Sequence, residues 1–481
     1  MSLLNTSIGP ERVQVFGQPL GVVQTAGVST SVTAFLISTA KVGAPVNVPT
    51  NVTSLEEFET TFGDADDCAF NANYAIQGYF DNGGTGKTAI IVNVGTTPSA
   101  ASFIGDAAAG TGLRALDVID SMNLVCIPGL PINLAYLVQP ALIDYSETIR
   151  TEFGATLSTV FSALSIPADI KKANKDVQLI STTITSILGM VLTLPTLDLS
   201  LVKPGMIIKK AGVYTASISA VDDALNTVTV VALGGLIATD AITINIPSAV
   251  TYKEKVINNP SRVAAWYFNN LAVLAKEALA PLNSTKNVDP IGHVCGIMGR
   301  IDANIAIGGV SHAPAGLQYS SFAGILGLEI SISERLEGEP LRKNYINRIT
   351  SFPGSGNVIF GGYTAESGTS AIYTPDEQLI QVMRTVQYIK GSLEIGLRSY
   401  LWENFSPNTQ NEVARSIESF LRNNIHLFPA GLPESQQFKV ISIEPTQDEL
   451  DQGLLKVRVQ IKPNKAVRFI EVSLEFPIPT A

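Results

Sequence analysis

Residues 166–250 set the terms for any fold of this chain. They are dense in Thr, Val, Ile and Leu and nearly free of aromatic residues, with turn formers at Pro204-Gly205, Asp222-Asp223 and Gly234-Gly235. The stretch LVKPGMIIKKAGVYTASISAVDDALNTVTVVALGGLIATDAITINI breaks into short β-branched runs between those turns. That is the pattern of a small β-sandwich or barrel. On either side the spacing changes. Helical periodicity runs through 139–164 and resumes at SRVAAWYFNNLAVLAKEAL, from Ser261. An all-β unit is therefore expected as an insertion in an α/β frame. The expected fold class is α+β and multidomain.

A second stretch poses a functional question. DNGGTGKT, residues 81–88, ends as a phosphate-binding loop does, with Gly86, Lys87 and Thr88. Such a loop needs Gly, four residues and Gly-Lys-Ser/Thr, lying between a strand and a helix whose N-terminus faces the phosphates. Here the first position is Asp81, whose carboxylate repels phosphate. Upstream, CAFNANYAIQGYF has helical apolar spacing at Ala69, Ala72, Ile76 and Phe80, and downstream AIIVNV is a compact buried strand. The order helix, turn, strand is the reverse of what nucleotide binding requires. Asn82, Gly83 and Gly84 are read as a helix stop and turn.

Composition narrows the classes that remain. A chain of 481 residues is long enough for two to four domains. With 46% hydrophobic and only 15% charged residues, it suits a protein that buries surface against copies of itself. Its net charge of −10 argues against sequence-independent nucleic-acid binding. The cysteines, Cys68, Cys126 and Cys295, are few and widely spaced, and are read as buried thiols. His293, His312 and His426 have no metal-ligand spacing. Gly309-Val310-Ser311-His312-Ala313 is one residue short of a nucleophile elbow. No catalytic, cofactor or metal site is expected. The N-terminus lacks a signal-peptide pattern, and no apolar stretch reaches the roughly 18 residues of a membrane span.

The two ends of the chain carry legible patterns. Residues 1–20, with Val13, Val15 and Phe16 between Pro10 and Pro19, are read as an extended arm, and 22–40 as strands. Thr53 or Ser54 caps a short helix with Glu56 and Glu57 in its first turn, stopped at Gly63. GLRALDVIDSMNLVCIPG reads as helix then strand. Thr374-Pro375-Asp376-Glu377 is a capping box ahead of a long helix with Leu379, Val382, Met383, Val386, Ile389, Leu393 and Leu397 on one face. Ser406-Pro407 opens a second helix with Val413, Ile417, Phe420 and Leu421 inward, and Arg415, Glu418 and Arg422 outward. LLKVRVQIK then alternates strictly, with Leu455, Val457, Val459 and Ile461 on one face and Lys456, Arg458, Gln460 and Lys462 on the other. A last alternating strand carries Ile470, Val472, Leu474 and Phe476. Residues 456–468 hold Lys456, Arg458, Lys462, Lys465 and Arg468 without an acid, either a solvated face or a contact for an acidic partner.

The order of these landmarks resembles the contractile tail sheath proteins of myophages and related contractile injection systems. The motifs that carry the resemblance are SLEEFETTFG (54–63), YFDNGG before AIIVNV (79–94), GLRAL and NLVCIPG (112–129), GHVCGIMGRID (292–302), HAPAG (312–316) and, in part, INRITSFPGSG (346–356). They run colinearly over most of the chain outside 166–250. The chain departs from the family at Gly362-Tyr363-Thr364, where Arg-Thr is common, and in keeping only Trp402 of a Trp-rich segment.

The resemblance implies a structural subunit without enzymatic activity or cofactor. It implies stacked hexameric rings around an inner tube, with baseplate and tail terminator proteins as further partners. It implies no nucleic-acid partner and no membrane insertion. The expected place is a virion tail assembled in the bacterial cytoplasm, with the sheath of a host-encoded injection device or bacteriocin as the alternative. It further implies an N-terminal arm (1–22), a middle domain (23–165 and 251–365), the insert (166–250) and an inner domain with a strand arm (366–481). Strand exchange between subunits is expected at Val13, Val15, Val457, Val459, Ile461, Ile470, Val472 and Leu474. Contacts to the tube are expected at Arg415, Arg422, Lys456, Arg458 and Lys462.

Overall fold

A computed structural model describes residues 29–83, 86–119, 121–149, 158–196, 198–367, 372–404, 406–442, 446 and 455–468. The fold is mixed α+β, as expected. Its frame is an eight-stranded sheet in the order Gly356–Phe360, Ile346–Phe352, Ala264–Phe268, Phe161–Ser165, Leu124–Cys126, Thr33–Ile37, Ala89–Asn93, Thr50–Val52. The interior pairings are parallel. Only the two edge strands run antiparallel. Strands buried on both faces read as unbroken apolar runs, and TAFLI and AIIVN are buried at every position.

The same physics overturns one sequence expectation. The stretch from Ser261 reads as helical, yet it holds the strands Ala264–Phe268 and Leu271–Leu274. Ala264–Phe268 lies between two parallel neighbours with all five residues buried. A strand covered on both faces has no polar positions to reveal a period of two. Trp266, Tyr267 and Phe268 moreover favour the extended state. The helical reading of 139–164 is corrected in the same way at its end, where Phe161–Ser165 is a strand.

Phe161–Ser165 and Ala264–Phe268 are adjacent parallel strands, and such a pair requires a crossover. Here the crossover includes a separate seven-stranded antiparallel sheet, in the order Val177–Thr183, Ala241–Ile246, Ile207–Lys210, Val213–Asp222, Thr227–Val230, Val191–Thr193, Ser186–Leu188. Its first and last strands are joined through Ile184 and Thr185 alone. Ile184 N–H donates to Asp240 O and Thr185 N–H to Thr193 O, at opposite ends of the order. The sheet must therefore curl until its ends meet. Ile184, Leu192, Ile208, Ile218, Val228 and Ile244 fill its interior. That interior is continuous with the layer under the helix Ile132–Asp144, where Tyr136 donates to Ser219 O at 2.9 Å.

The other face of the main sheet carries the helices Ala72–Gly83 and Ile291–Asp302, packed almost backbone to backbone. A Cβ placed on Gly292 would lie 1.9 Å from Ala75 O, and one on Gly296 would lie 2.6 Å from Tyr79 O. The Gly-x-x-x-Gly spacing of GHVCGIMG is thus a helix-contact surface. The short capped helix forms as expected: Ser54 Oγ accepts from Glu57 N–H, and Gly63 ends Leu55–Phe62 at φ 95°.

At Thr374–Glu377 the reciprocal capping bonds form, but they close a turn, and the long helix spans Ile380–Gly396. Gln378 closes that turn, its N–H donating to Thr374 O and its C=O accepting from Thr364 N–H, and only Leu379 is extended, where it bridges Tyr363. This helix, Pro407–Asn423 and a two-stranded sheet of Phe438–Ser442 and Val457–Ile461 enclose their own core, including Val413, Ile417, Phe420, Leu421 and Phe428.

Candidate assembly surface

The strand Val457–Ile461 is where sequence and structure agree most closely. Val457, Val459 and Ile461 are half-buried against the C-terminal core, while Lys456, Arg458 and Lys462 are exposed. Its partner is a strand the sequence reading did not single out. Phe438 pairs with Ile461, Val440 with Val459 and Ser442 with Val457, antiparallel. Among the described residues neither strand has a third neighbour, so no described strand pairs with either outer edge. Two strands alone are marginal in water, and an open edge offers unpaired N–H and C=O groups to another chain.

The apolar face of Val459 and Ile461 stands off from the long helix. A groove of about 370 Å³ lies between them, walled by Val386, Ile389, Leu393 and Leu397. Edge and groove are contiguous, so an added segment would gain both backbone hydrogen bonds and apolar burial. Val13, Val15, Ile470, Val472 and Leu474 lie outside the described residues.

The basic candidates fall in two places. Arg415 and Arg422 are exposed on the outer face of Pro407–Asn423. Arg422 Nε donates to Glu434 at 2.7 Å, and Glu418 lies 3.9 Å from it. Arg422 is thus committed to its own chain. Lys456, Arg458 and Lys462 share the outer face of the strand, and Lys465 pairs with Asp376 at 2.5 Å.

The residues that mimic chemistry have structural partners. Lys87 Nζ donates to Gly299 O at 2.9 Å and Ser31 Oγ at 2.8 Å, closing the C-terminal end of the Ile291–Asp302 helix. Burial holds its pKa below the usual lysine value. The chain runs helix, turn, strand here, from Ala72–Gly83 to Ala89–Asn93, so no helix N-terminus follows the Gly-Lys-Thr. Ser311 Oγ donates to Gly308 O at 2.8 Å rather than facing a base. Cys68, Cys126 and Cys295 are free and buried. Burial lowers His293 to a pKa of about 4. Among the described residues no His, Cys, Asp and Glu cluster could hold a metal, and no helix is long and apolar enough to cross a membrane.

No protein-family profile matches the sequence, and no curated protein matches it either. Solved structures do. The chain is similar to the anti-feeding prophage helical sheath in its contracted state, with a TM-score of 0.61 and 17% identity over 98% of this chain and 99% of that one. It is equally similar to the sheath complex of the extracellular contractile injection system PVC in its contracted state, with a TM-score of 0.61 and 14% identity over 98% of both chains. A chain of the anti-feeding prophage baseplate gives 0.61 and 16% identity over 98% of this chain and 100% of that one. The chain has the contractile-sheath fold. At such identities the agreement lies in backbone path, end to end. Within the sheath fold the quoted motifs have local causes: SLEEFETTFG is the capped helix, and GHVCGIMGRID the glycine-lined helix contact. The false phosphate loop is the turn from Ala72–Gly83 into Ala89–Asn93.

Proposed function

We propose that this chain is the structural subunit of a contractile sheath in an extracellular injection device. Copies polymerise as stacked hexameric rings around an inner tube, and contraction drives the tube through a target envelope. The observation that carries this reading is end-to-end likeness to sheath chains over 98% of the sequence. The sequence expectation ranked a phage tail first and an injection device second. The structures of greatest weight here belong to injection systems, which favours the second. Baseplate and terminator proteins are the further partners.

The C-terminal sheet supplies a physical basis for assembly. In this reading Val13 and Val15 of one copy, with Ile470, Val472 and Leu474 of another, extend the sheet that holds Val457, Val459 and Ile461. Each backbone hydrogen bond contributes only about 0.5–1.5 kcal/mol, but every subunit repeats several. The mesh stays joined while domain faces exchange partners. Residues 1–22 and 366–481 then form the inner, connected part, 23–165 with 251–365 the middle, and 166–250 the outer insert. Arg415, Lys456, Arg458 and Lys462 are the candidates for gripping the tube, with Arg422 weaker because Glu434 already holds it.

Negative-stain electron microscopy of the protein, alone and co-expressed with its tube protein, tests the reading. Striated hollow tubes or sheathed tubes are expected. Monodisperse particles in both preparations would overturn it.

A further inference from the structure

Three buried asparagines each hold the N–H and the C=O of one residue by the same two-point grip. Asn82 accepts from Ala323 N–H at 2.8 Å and donates to Ala323 O at 3.2 Å. Asn269 accepts from Ile330 N–H at 3.1 Å and donates to Ile330 O at 2.7 Å. Asn347 accepts from Tyr363 N–H and donates to Tyr363 O, both at 2.8 Å. A side-chain amide offers one acceptor and one donor side by side, and so satisfies the N–H and C=O of one residue at once.

Gln381 has the same equipment and no peptide. It is 1% exposed, and among the described residues neither its Oε1 nor its Nε2 has a partner. Among the described residues no other side-chain amide is buried with both atoms unpaired. Buried polar groups are hydrogen-bonded as a rule, and each exception calls for a cause. Gln381 lines a cavity of about 200 Å³ together with Arg342, Arg348, Gly362, Tyr363 and Arg468. Among the described residues the lining holds three arginines and no carboxylate. Arg348 Nε is also buried without an acceptor, while its Nη2 meets Glu334. The volume is below the roughly 300–1,000 Å³ that encloses a drug-sized ligand, and suits a short piece of extended chain.

We propose that this cavity docks one extended segment of a second copy of this chain, gripped by Gln381 through the N–H and C=O of one residue and by the arginines through a carboxylate beside it. The choice of a second copy rests on the assembly reading above. Two observations favour it. The chain carries a net charge of −10, so its copies present acids in excess. The cavity wall also includes Ala466 and Val467, which lie past Lys462, Pro463, Asn464 and Lys465 from the end of the strand Val457–Ile461.

The substitution Gln381→Leu keeps the volume and removes both unpaired atoms. The free subunit is expected to melt at the same or a higher temperature, while the concentration needed for polymerisation rises at least about tenfold. In a second arm, the peptide acetyl-Val-Glu-Val-amide is titrated calorimetrically into the wild-type subunit. Saturable one-to-one binding is expected, weakened by salt, lost in Gln381→Leu and at least about tenfold weaker for acetyl-Val-Gln-Val-amide. This arm reads the site even if the chain forms no sheath, so failure of the assembly reading is seen separately. No peptide binding, or a Gln381→Leu subunit that polymerises normally, overturns the proposal. N-acetylglutamate binding as tightly as the tripeptide would also overturn it, and assign the cavity to a small acid.

Discussion

Arg384 and Asp302 form a two-pronged ion pair inside the protein, at 3.0 and 2.5 Å, with side chains 4% and 1% exposed. Asp302 ends the glycine-lined helix Ile291–Asp302, and Arg384 lies in the first turns of Ile380–Gly396. Arg384 also donates to Thr30 O at 2.9 Å, beside the central strand Thr33–Ile37. One guanidinium thus ties the C-terminal helix to both the main sheet and the middle helix.

Removing one member of this pair leaves a buried charge without its partner. Arg384→Met or Asp302→Leu alone is expected to cost about 3–5 kcal/mol, and the double variant to recover most of that loss. Urea unfolding of the four proteins checks it. A double variant no more stable than the worse single would show that the pair is not the unit of energy.

The helix contact at Gly292 tolerates no side chain. Gly292→Ala places a methyl group 1.9 Å from Ala75 O and is expected to destabilise by about 1–3 kcal/mol, the usual range for overpacking. Gly327, where an added Cβ meets nothing within 4 Å, is the control, and Gly327→Ala should be near neutral. Thermal melts of the two variants make the comparison.

His293 gives stability a pH dependence of known sign. Its pKa falls from 6.5 to about 4 on folding because burial disfavours the imidazolium. Between those values the unfolded chain binds a proton that the native chain does not, so stability is complete above about pH 6.5 and is lost as pH falls toward 4. At about 1.4 kcal/mol per unit the full effect is about 3 kcal/mol. His293→Gln should flatten this part of the wild-type curve. Equal slopes for the two proteins across that window would refute the assignment.

Deletion of residues 1–15 should leave the subunit's circular dichroism and melting unchanged and abolish polymers. Truncated protein that still forms tubes in the microscope would rule out the arm as a linking strand.

Charge reversal at Arg415, Lys456, Arg458 and Lys462 together should weaken binding to the tube, most strongly at low salt. Arg422→Glu should do less to binding, since it mainly breaks the contact with Glu434. Co-sedimentation with assembled tubes across a salt series reads both.

Much of the candidate assembly surface was legible because one-sided burial writes a period into sequence. LLKVRVQIK alternates since one face meets the C-terminal core and the other meets water, and the structure keeps that register. Its partner Phe438–Ser442 was missed because five residues after a short helix carry too little pattern. Ala264–Phe268 was misread because two-sided burial erases the period.

What the sequence by itself determined was local or compositional: the strand-rich stretch within 166–250, a cap at Thr53 or Ser54, the stop at Gly63, and the helix-turn-strand order that removes DNGGTGKT from nucleotide chemistry. Only the tertiary structure decided which distant groups meet. Lys87 finds Gly299, Arg384 finds Asp302, and the side-chain amide of Gln381 finds no partner among the described residues. Periodicity records how each residue faces its own element's surroundings. A contact between residues far apart in the chain depends on how the elements pack, and leaves no spacing to read.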